Sequence, residues 1–131
     1  MKINKIVEAA LYVHDIDEAE SFYTKVLGLE KIDKTPERDL FLRCGDTVLI
    51  LFNPEKTKID GGVVPTHGSV GQGHLAFGIP DFDFDGWSKR LVENKVSIEK
   101  TVQWDKESKS IYFRDQSGNS LEFISEGSYK A

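Results

Sequence analysis

The chain has 131 residues, a net charge of -5 and 39% hydrophobic residues, which is the length and composition of one globular domain. Lys and Arg total 17 against 22 for Asp and Glu, with no basic run, so nucleic-acid binding is disfavoured. No apolar run approaches the roughly 20 residues of a membrane span. The sequence also has no basic amphipathic segment of the kind that attaches to a membrane surface.

The first half of the chain predicts a strand, a helix and three further strands. An apolar strand over 5–13 leads to a helix that starts at Asp15 or Asp17 and ends at Gly28. The three strands that follow are expected over 29–34, 39–43 and 47–52. Residues 53–73 are rich in glycine and proline and predict a long loop.

The second half repeats this order of elements. A strand over 74–79 precedes a helix that starts at Pro80-Asp81 and stops at Asn94. The last three strands are expected over 96–103, 110–114 and 120–124. A shift of 66 residues aligns the first strands of the two halves, and a shift of 73 aligns the later ones. We therefore predict an α+β fold of two βαβββ modules, about 1–58 and 71–131, joined by a linker over 59–70.

The N-terminus and the cysteine content bear on the compartment. The segment from Met1 to Lys5 has no apolar signal region, which argues against secretion. A single cysteine, Cys44, permits neither an intrachain disulfide nor a cysteine-based zinc site. We therefore expect a cytoplasmic protein, and for Cys44 we favour an inert residue of a buried strand over the alternative of a catalytic thiol.

Two stretches and a strand start carry a family pattern. They are the helix end Phe22-Tyr23-Thr24-Lys25-Val26-Leu27-Gly28-Leu29, the hairpin from Phe113 to Phe123 and the start Gly73-His74-Leu75-Ala76-Phe77. Together they resemble the vicinal oxygen chelate superfamily of glyoxalase I, extradiol dioxygenases, fosfomycin-resistance enzymes and bleomycin-binding proteins. The resemblance covers residues 4–126 and implies paired modules whose sheets curl around an open-sided cleft. With exposed sheet edges, it also implies a homodimer, but it does not fix one reaction.

Strand alternation identifies the residues that face the cleft. Glu8 and Tyr12 share one face of the first strand, and His74 starts the corresponding strand of the second module. Glu122 lies between Leu121 and Phe123, where burying a carboxylate is costly without a cation or hydrogen bonds. We expect Glu122 to point into a wet or metal-bound cleft.

The resemblance implies metal ligands at Glu8, His74 and Glu122. The 73-residue shift makes Leu49 the fourth related position, and its lack of a ligand atom counts against a glyoxalase I site with four protein ligands. Glu8 stands where dioxygenases and fosfomycin enzymes usually place histidine, which counts against those activities. One imidazole and two carboxylates suit Mn²⁺, Fe²⁺, Ni²⁺ or Zn²⁺. The alternative is that the two carboxylates are hydrogen-bonded with His74 around a small-molecule pocket.

The other candidate residues would contact a small-molecule substrate. They are the wall residues Tyr12, Phe41, Leu49 and Trp104, the cations Arg43 and Arg114, and His67 of the glycine-rich loop. We expect a metal-dependent lyase, isomerase, transferase or dioxygenase that stabilises an oxyanion on a small oxygenated substrate. Glu8 and Glu122 would be the catalytic carboxylates, one of which moves a proton. The alternative is a non-catalytic drug-binding protein of the bleomycin-resistance kind.

Overall fold

The computed structural model describes residues 1–129. The chain divides into two compact units, one from Met1 to Gly71 and one from Gln72 onward. Each unit holds a four-stranded mixed sheet in the order strand, helix and three strands. The predicted α+β class and the paired βαβββ organisation are therefore confirmed. None of the helices in this part of the chain has the length and apolar content of a membrane crossing.

The first unit opens with strand β1 (Glu8–Tyr12) and helix α1 (Ile16–Ser21). Asp15 caps the helix, because its Oδ1 accepts a hydrogen bond from the backbone N–H of Glu18 at 3.0 Å. The remaining elements are β2 (Glu30–Thr35), β3 (Asp39–Cys44), β4 (Thr47–Phe52) and the short helix α2 (Pro54–Thr57). Helix α2 lies within residues 53–73, which the sequence pattern predicts to be a loop.

The first helix reaches its predicted end but changes type on the way. Residues Phe22–Val26 form a π-helical turn, in which the Leu27 N–H donates to the Phe22 carbonyl five residues earlier at 3.3 Å. Gly28 follows with a φ of 74°, a left-handed conformation that ends the helix. Apolar spacing predicts the helical segment but does not distinguish these two hydrogen-bond patterns.

The first sheet has the strand order β1-β4-β3-β2. Strand β1 runs parallel to β4, with Glu8 opposite Val48 and Tyr12 opposite Phe52, and the other pairs are antiparallel. Helix α1 packs against β3 and β4. The face of β1 that carries Leu11 is buried and the face that carries Glu8 is open, as the alternation predicts.

The second unit repeats this architecture. Its elements are β5 (His74–Ile79), helix α3 (Phe84–Glu93), β6 (Lys100–Gln103), β7 (Lys109–Arg114) and β8 (Ser120–Ser125). The strand order is β5-β8-β7-β6, with β5 parallel to β8. Helix α3 covers one face of the sheet, where the rings of Trp87 and Phe123 lie 4.7 Å apart. The opposite face is left open for His74.

Strand β6 is shorter than predicted. The sequence predicts it from Val96, but the Val96 N–H donates to the Leu91 carbonyl at 2.8 Å and closes the end of α3. Pairing with β7 begins only at Lys100, opposite Tyr112. The apolar residue Val96 therefore belongs to the helix end rather than to the sheet.

Candidate functional site

His74 begins β5 with its ring held in one orientation. Its Nδ1 lies 3.0 Å from the carbonyl oxygen of Ser120, the residue opposite it on β8. A carbonyl oxygen only accepts, so Nδ1 carries the hydrogen and donates it. In neutral His74 the free lone pair is therefore on Nε2, the nitrogen that faces the next strand.

Glu122 presents its carboxylate to that nitrogen. The Oε1 atom of Glu122 lies 3.3 Å from His74 Nε2, and Oε2 accepts a hydrogen bond from the Ser110 hydroxyl at 2.5 Å. Glu122 is only 5% exposed, so this carboxylate is buried in the sheet rather than lying in a wet cleft. The second unit thus brings together two of the three predicted ligands.

Tyr112 completes the surroundings of this carboxylate. It lies opposite Glu122 in the pairing of β7 with β8, and its ring stacks on the His74 ring at 6.3 Å. Burial, the negative charge of Glu122 and a hydrogen bond to that carboxylate all raise the pKa of Tyr112. Tyr112 therefore keeps its proton and donates it toward Glu122.

The first unit carries the third predicted ligand, Glu8, at the start of β1. Its side chain is exposed, and the structure gives it no hydrogen-bond or ion-pair partner among residues 1–129. Across the sheet the row continues through Val48 to Arg43 on β3, which is also exposed. In the second unit the equivalent row runs from His74 through Ser120 to Arg114. Arg43 and Arg114 therefore occupy corresponding positions, as two similar modules predict.

The glycine-rich loop returns to this sheet at His67. Its Nδ1 is hydrogen-bonded to the Tyr12 hydroxyl at 2.8 Å, and its ring meets Phe52 edge-on at 4.6 Å. The His67 N–H also donates to the Thr57 carbonyl at 3.1 Å. Tyr12 and His67 are thus brought together at the far end of β1 from Glu8.

The predicted internal counterpart of Glu122 is wrong by one residue. In the first unit Ile50 lies opposite Ala10, just as Glu122 lies opposite Ala76 in the second. Leu49 faces the other way and is 1% exposed in the core. The correct shift in this strand is 72 residues, because the pairing register rather than the turn fixes which side chains share a face. Ile50 has no ligand atom either, so the conclusion about a fourth ligand is unchanged.

A groove of about 540 Å³ lies on the second unit beside Tyr112. Its lining residues are Glu99, Lys100, Val102, Trp104, Tyr112 and Arg114. Two of them, Trp104 and Arg114, are predicted substrate contacts. Arg114 pairs with Glu99, its Nε lying 3.2 Å from a carboxylate oxygen, whereas Lys100 forms no ion pair within residues 1–129. Phe41 is half-buried in the first unit, opposite Ile50.

Comparison with known proteins places this arrangement in a family. Residues 3–123 match the model of the Glyoxalase/Bleomycin resistance protein/Dioxygenase superfamily. The chain belongs to this superfamily. A metallothiol transferase FosB from Staphylococcus epidermidis is 32% identical over 124 residues, which cover 93% of this chain and 82% of the relative.

Solved structures of the superfamily agree with this fold. The crystal structure of a lactoylglutathione lyase from Agrobacterium tumefaciens is 38% identical, with a TM-score of 0.92 and 98% of each chain covered. A fosfomycin resistance protein FosX from Mesorhizobium loti has a TM-score of 0.67, with 95% of this chain and 93% of that chain covered. At 20% identity the FosX likeness concerns the fold alone.

Two residues of the site are not predicted by the sequence pattern. Ser110 and Tyr112 both contact Glu122, yet in sequence they read as ordinary members of a strand. Their alternation with the core residues Ile111 and Phe113 places them on the open face, and only the strand register brings them to Glu122. Within residues 1–129, no three His, Cys, Asp or Glu side chains are gathered as a metal-holding group. The complete ligand set of this superfamily member therefore stays a prediction.

Proposed function

We propose that this chain is a metal-dependent enzyme that acts on a small oxygenated substrate, with Glu8, His74 and Glu122 as the ligands of a divalent ion. The observation that supports this most is the pair of atoms His74 Nε2 and Glu122 Oε1, 3.3 Å apart. The other nitrogen of His74 is engaged by a backbone carbonyl, which is the outer contact that metal-binding histidines commonly make.

The chemistry of these donors fits a divalent cation. A lone pair on Nε2 and a carboxylate oxygen at this distance repel each other unless a proton or a metal ion lies beside both. One imidazole and two carboxylates suit Mn²⁺, Fe²⁺, Ni²⁺ or Zn²⁺ and leave positions for water or substrate. When bound, such an ion supplies Lewis-acid stabilisation of an oxyanion on the substrate.

The two carboxylates differ in how they are held, and we assign them different roles. Glu122 receives hydrogen bonds from Ser110 and Tyr112, which keep it in place as a ligand. Glu8 is exposed and carries no such contacts among the described residues, so it is the carboxylate able to take a proton from the substrate. The Tyr112 hydroxyl, whose single hydrogen is directed to Glu122, keeps lone pairs that can accept a hydrogen bond from a substrate hydroxyl.

The groove beside Tyr112 would hold the body of the substrate. Trp104 and Val102 offer an apolar wall, and the Lys100 ammonium offers a positive charge for an anionic group. By their names, the relatives include a metallothiol transferase and a lactoylglutathione lyase. We infer that the substrate of this chain is likewise a small oxygenated compound or its thiol conjugate.

Metal titration tests the proposal directly. After treatment with chelator and dialysis, calorimetric titration with Mn²⁺, Ni²⁺ or Zn²⁺ should give one ion per chain. His74→Ala and Glu8→Gln should each weaken binding by more than about 10-fold, the loss that a missing outer contact alone gives. The matched control is His14→Ala, since His14 is exposed and lies before α1 rather than on the sheet.

Absence of stoichiometric metal in the wild-type chain would overturn this function. Retained binding of an aromatic ligand by that metal-free chain would instead favour the drug-binding alternative, which the Trp104 and Tyr112 wall of the groove also suits.

A further inference from the structure

A chain of hydrogen bonds leads from the groove to Glu122. The Trp104 indole Nε1–H donates to the Ser110 hydroxyl oxygen at 2.8 Å, and the Ser110 hydroxyl contacts Glu122 Oε2. An indole N–H only donates, so Ser110 accepts there and directs its own single hydrogen to the carboxylate. The direction of both bonds is therefore fixed by the chemistry of the groups.

Burial changes steeply along this chain of bonds. Trp104 is 55% exposed in the wall of the groove, whereas Ser110 is 0% exposed and Glu122 is 5% exposed. The Trp104 backbone is held as well, because its N–H donates to the Ser108 carbonyl at 2.8 Å. A surface side chain is thus connected, through one buried hydroxyl, to a buried carboxylate.

The consequence concerns which oxygen of Glu122 is available. Oε2 is occupied by Ser110, and Oε1 is the atom that lies beside His74 Nε2. We propose that Ser110 and Trp104 are positioning residues, which hold the Glu122 carboxylate so that Oε1 is presented beside His74 Nε2. The inference rests on the proposed function for its consequence in metal binding, but the arrangement itself is testable without metal.

The metal-free protein tests the connection from Trp104 to Glu122. A spectrum of ¹⁵N-labelled chain should show two indole N–H signals, from Trp87 and Trp104, and the signal that is lost in Trp104→Phe is that of Trp104. The Trp104 signal should move in Ser110→Ala and also in Glu122→Gln, although Glu122 does not touch the indole. The Trp87 signal should stay in place, since that ring packs on Phe123 against the covered face of the sheet.

Metal affinity tests the positioning role. Ser110→Ala should bind metal about 10-fold more weakly than the wild type, as loss of an outer contact typically gives. Ser110→Thr, which keeps the hydroxyl, should restore most of this affinity. The matched control is Ser125→Ala, since Ser125 is 2% exposed on β8 and its hydroxyl bonds to the Lys109 backbone instead of Glu122.

Each outcome decides the inference. A Trp104 signal that is unmoved in Glu122→Gln, or a Ser110→Ala chain that binds metal as tightly as Ser125→Ala, overturns it. If Ser110→Ala fails to fold, the Trp104 indole N–H signal can still be measured in Ser110→Thr and in Glu122→Gln. A wild-type chain that binds no metal overturns the proposed function, and the indole signals then decide on their own whether the carboxylate is held in this way.

Discussion

At the scale of single residues, the buried carboxylate of Glu122 is the group whose environment matters most for the proposed function. A carboxylate that is 5% exposed requires compensation, and it has the Ser110 and Tyr112 hydroxyls as donors and His74 beside its other oxygen. Such contacts serve equally a structural acceptor and a metal ligand. The two roles differ in what happens when the negative charge alone is removed.

The substitution Glu122→Gln separates these roles. It keeps the shape and one accepting oxygen, so the metal-free protein should lose only about 1 kcal/mol of unfolding free energy. Metal affinity should fall by more than about 10-fold, because a neutral amide is a poor replacement for a carboxylate oxygen. Titration with metal and urea unfolding of the metal-free variant measure the two effects, with Glu126→Gln, an exposed position just after β8, as control. Unchanged metal content together with a strongly destabilised metal-free state would contradict the ligand assignment.

At the scale of elements, charged side chains tie helix α1 to strand β2. Lys34 Nζ lies 2.7 Å from one oxygen of Glu20 and 2.6 Å from Asp17, and Lys31 Nζ lies 3.0 Å from the other Glu20 oxygen. The hydrogen bond from Lys34, and then that from Lys31, lower the pKa of Glu20. Its carboxylate partners also raise the pKa of Lys34 to about 12.

This tie predicts a pH dependence in the acid range. Because the pKa of Glu20 is lowered on folding, its charge stabilises the folded state above its ordinary pKa of 4.5, and the contribution is lost as pH falls through the lowered value. Glu20→Gln should therefore lower stability slightly at pH 7, by the small amount typical of exposed pairs, and make no difference at the acid end. Urea unfolding across this range checks it, with Glu30→Gln on β2 as control. If the difference in unfolding free energy between Glu20→Gln and the wild type does not change with pH, the ion pairs of Glu20 do not contribute to stability.

Several elements follow from the sequence pattern because their physical signal is local. Strand β4 over Thr47–Phe52 and strand β5 over His74–Ile79 have the predicted bounds, since each is an apolar segment between clear turns. The cap at Asp15 is local in the same way. The late start of β6, after the Val96 N–H has bonded to the end of α3, and the π-helical turn depend on backbone hydrogen bonds that apolar spacing does not encode.

The candidate site was predictable only where alternation along one strand sufficed. His74 and Glu122 follow from their own strands and from the family pattern, and the structure brings their ring and carboxylate together. Ser110 depends on the register between β7 and β8, which a single strand does not contain. A one-residue error of register moves a side chain to the opposite face, which is how Leu49 was confused with Ile50.

At the scale of the whole molecule, exposed apolar surface and open sheet edges favour association. Strand β1 lies at the edge of the first sheet and β5 at the edge of the second. Just before β1, the apolar side chains of Ile3, Ile6 and Val7 are largely exposed. Sheet edges and exposed apolar side chains of this kind are what pairing with a second copy would bury.

We therefore expect a homodimer, and sedimentation should give twice the chain mass of 14.8 kDa. Ile6→Glu, placed among these apolar residues, should shift the equilibrium toward the monomer, because burying a charge at an interface is costly without a partner. Val63→Glu is the matched control, since Val63 is equally apolar and fully exposed but lies in the glycine-rich segment away from β1 in sequence. A wild-type chain that sediments as a monomer at micromolar concentration would contradict the dimer. If Ile6→Glu and Val63→Glu shift the monomer–dimer equilibrium equally, the segment before β1 does not form the dimer interface.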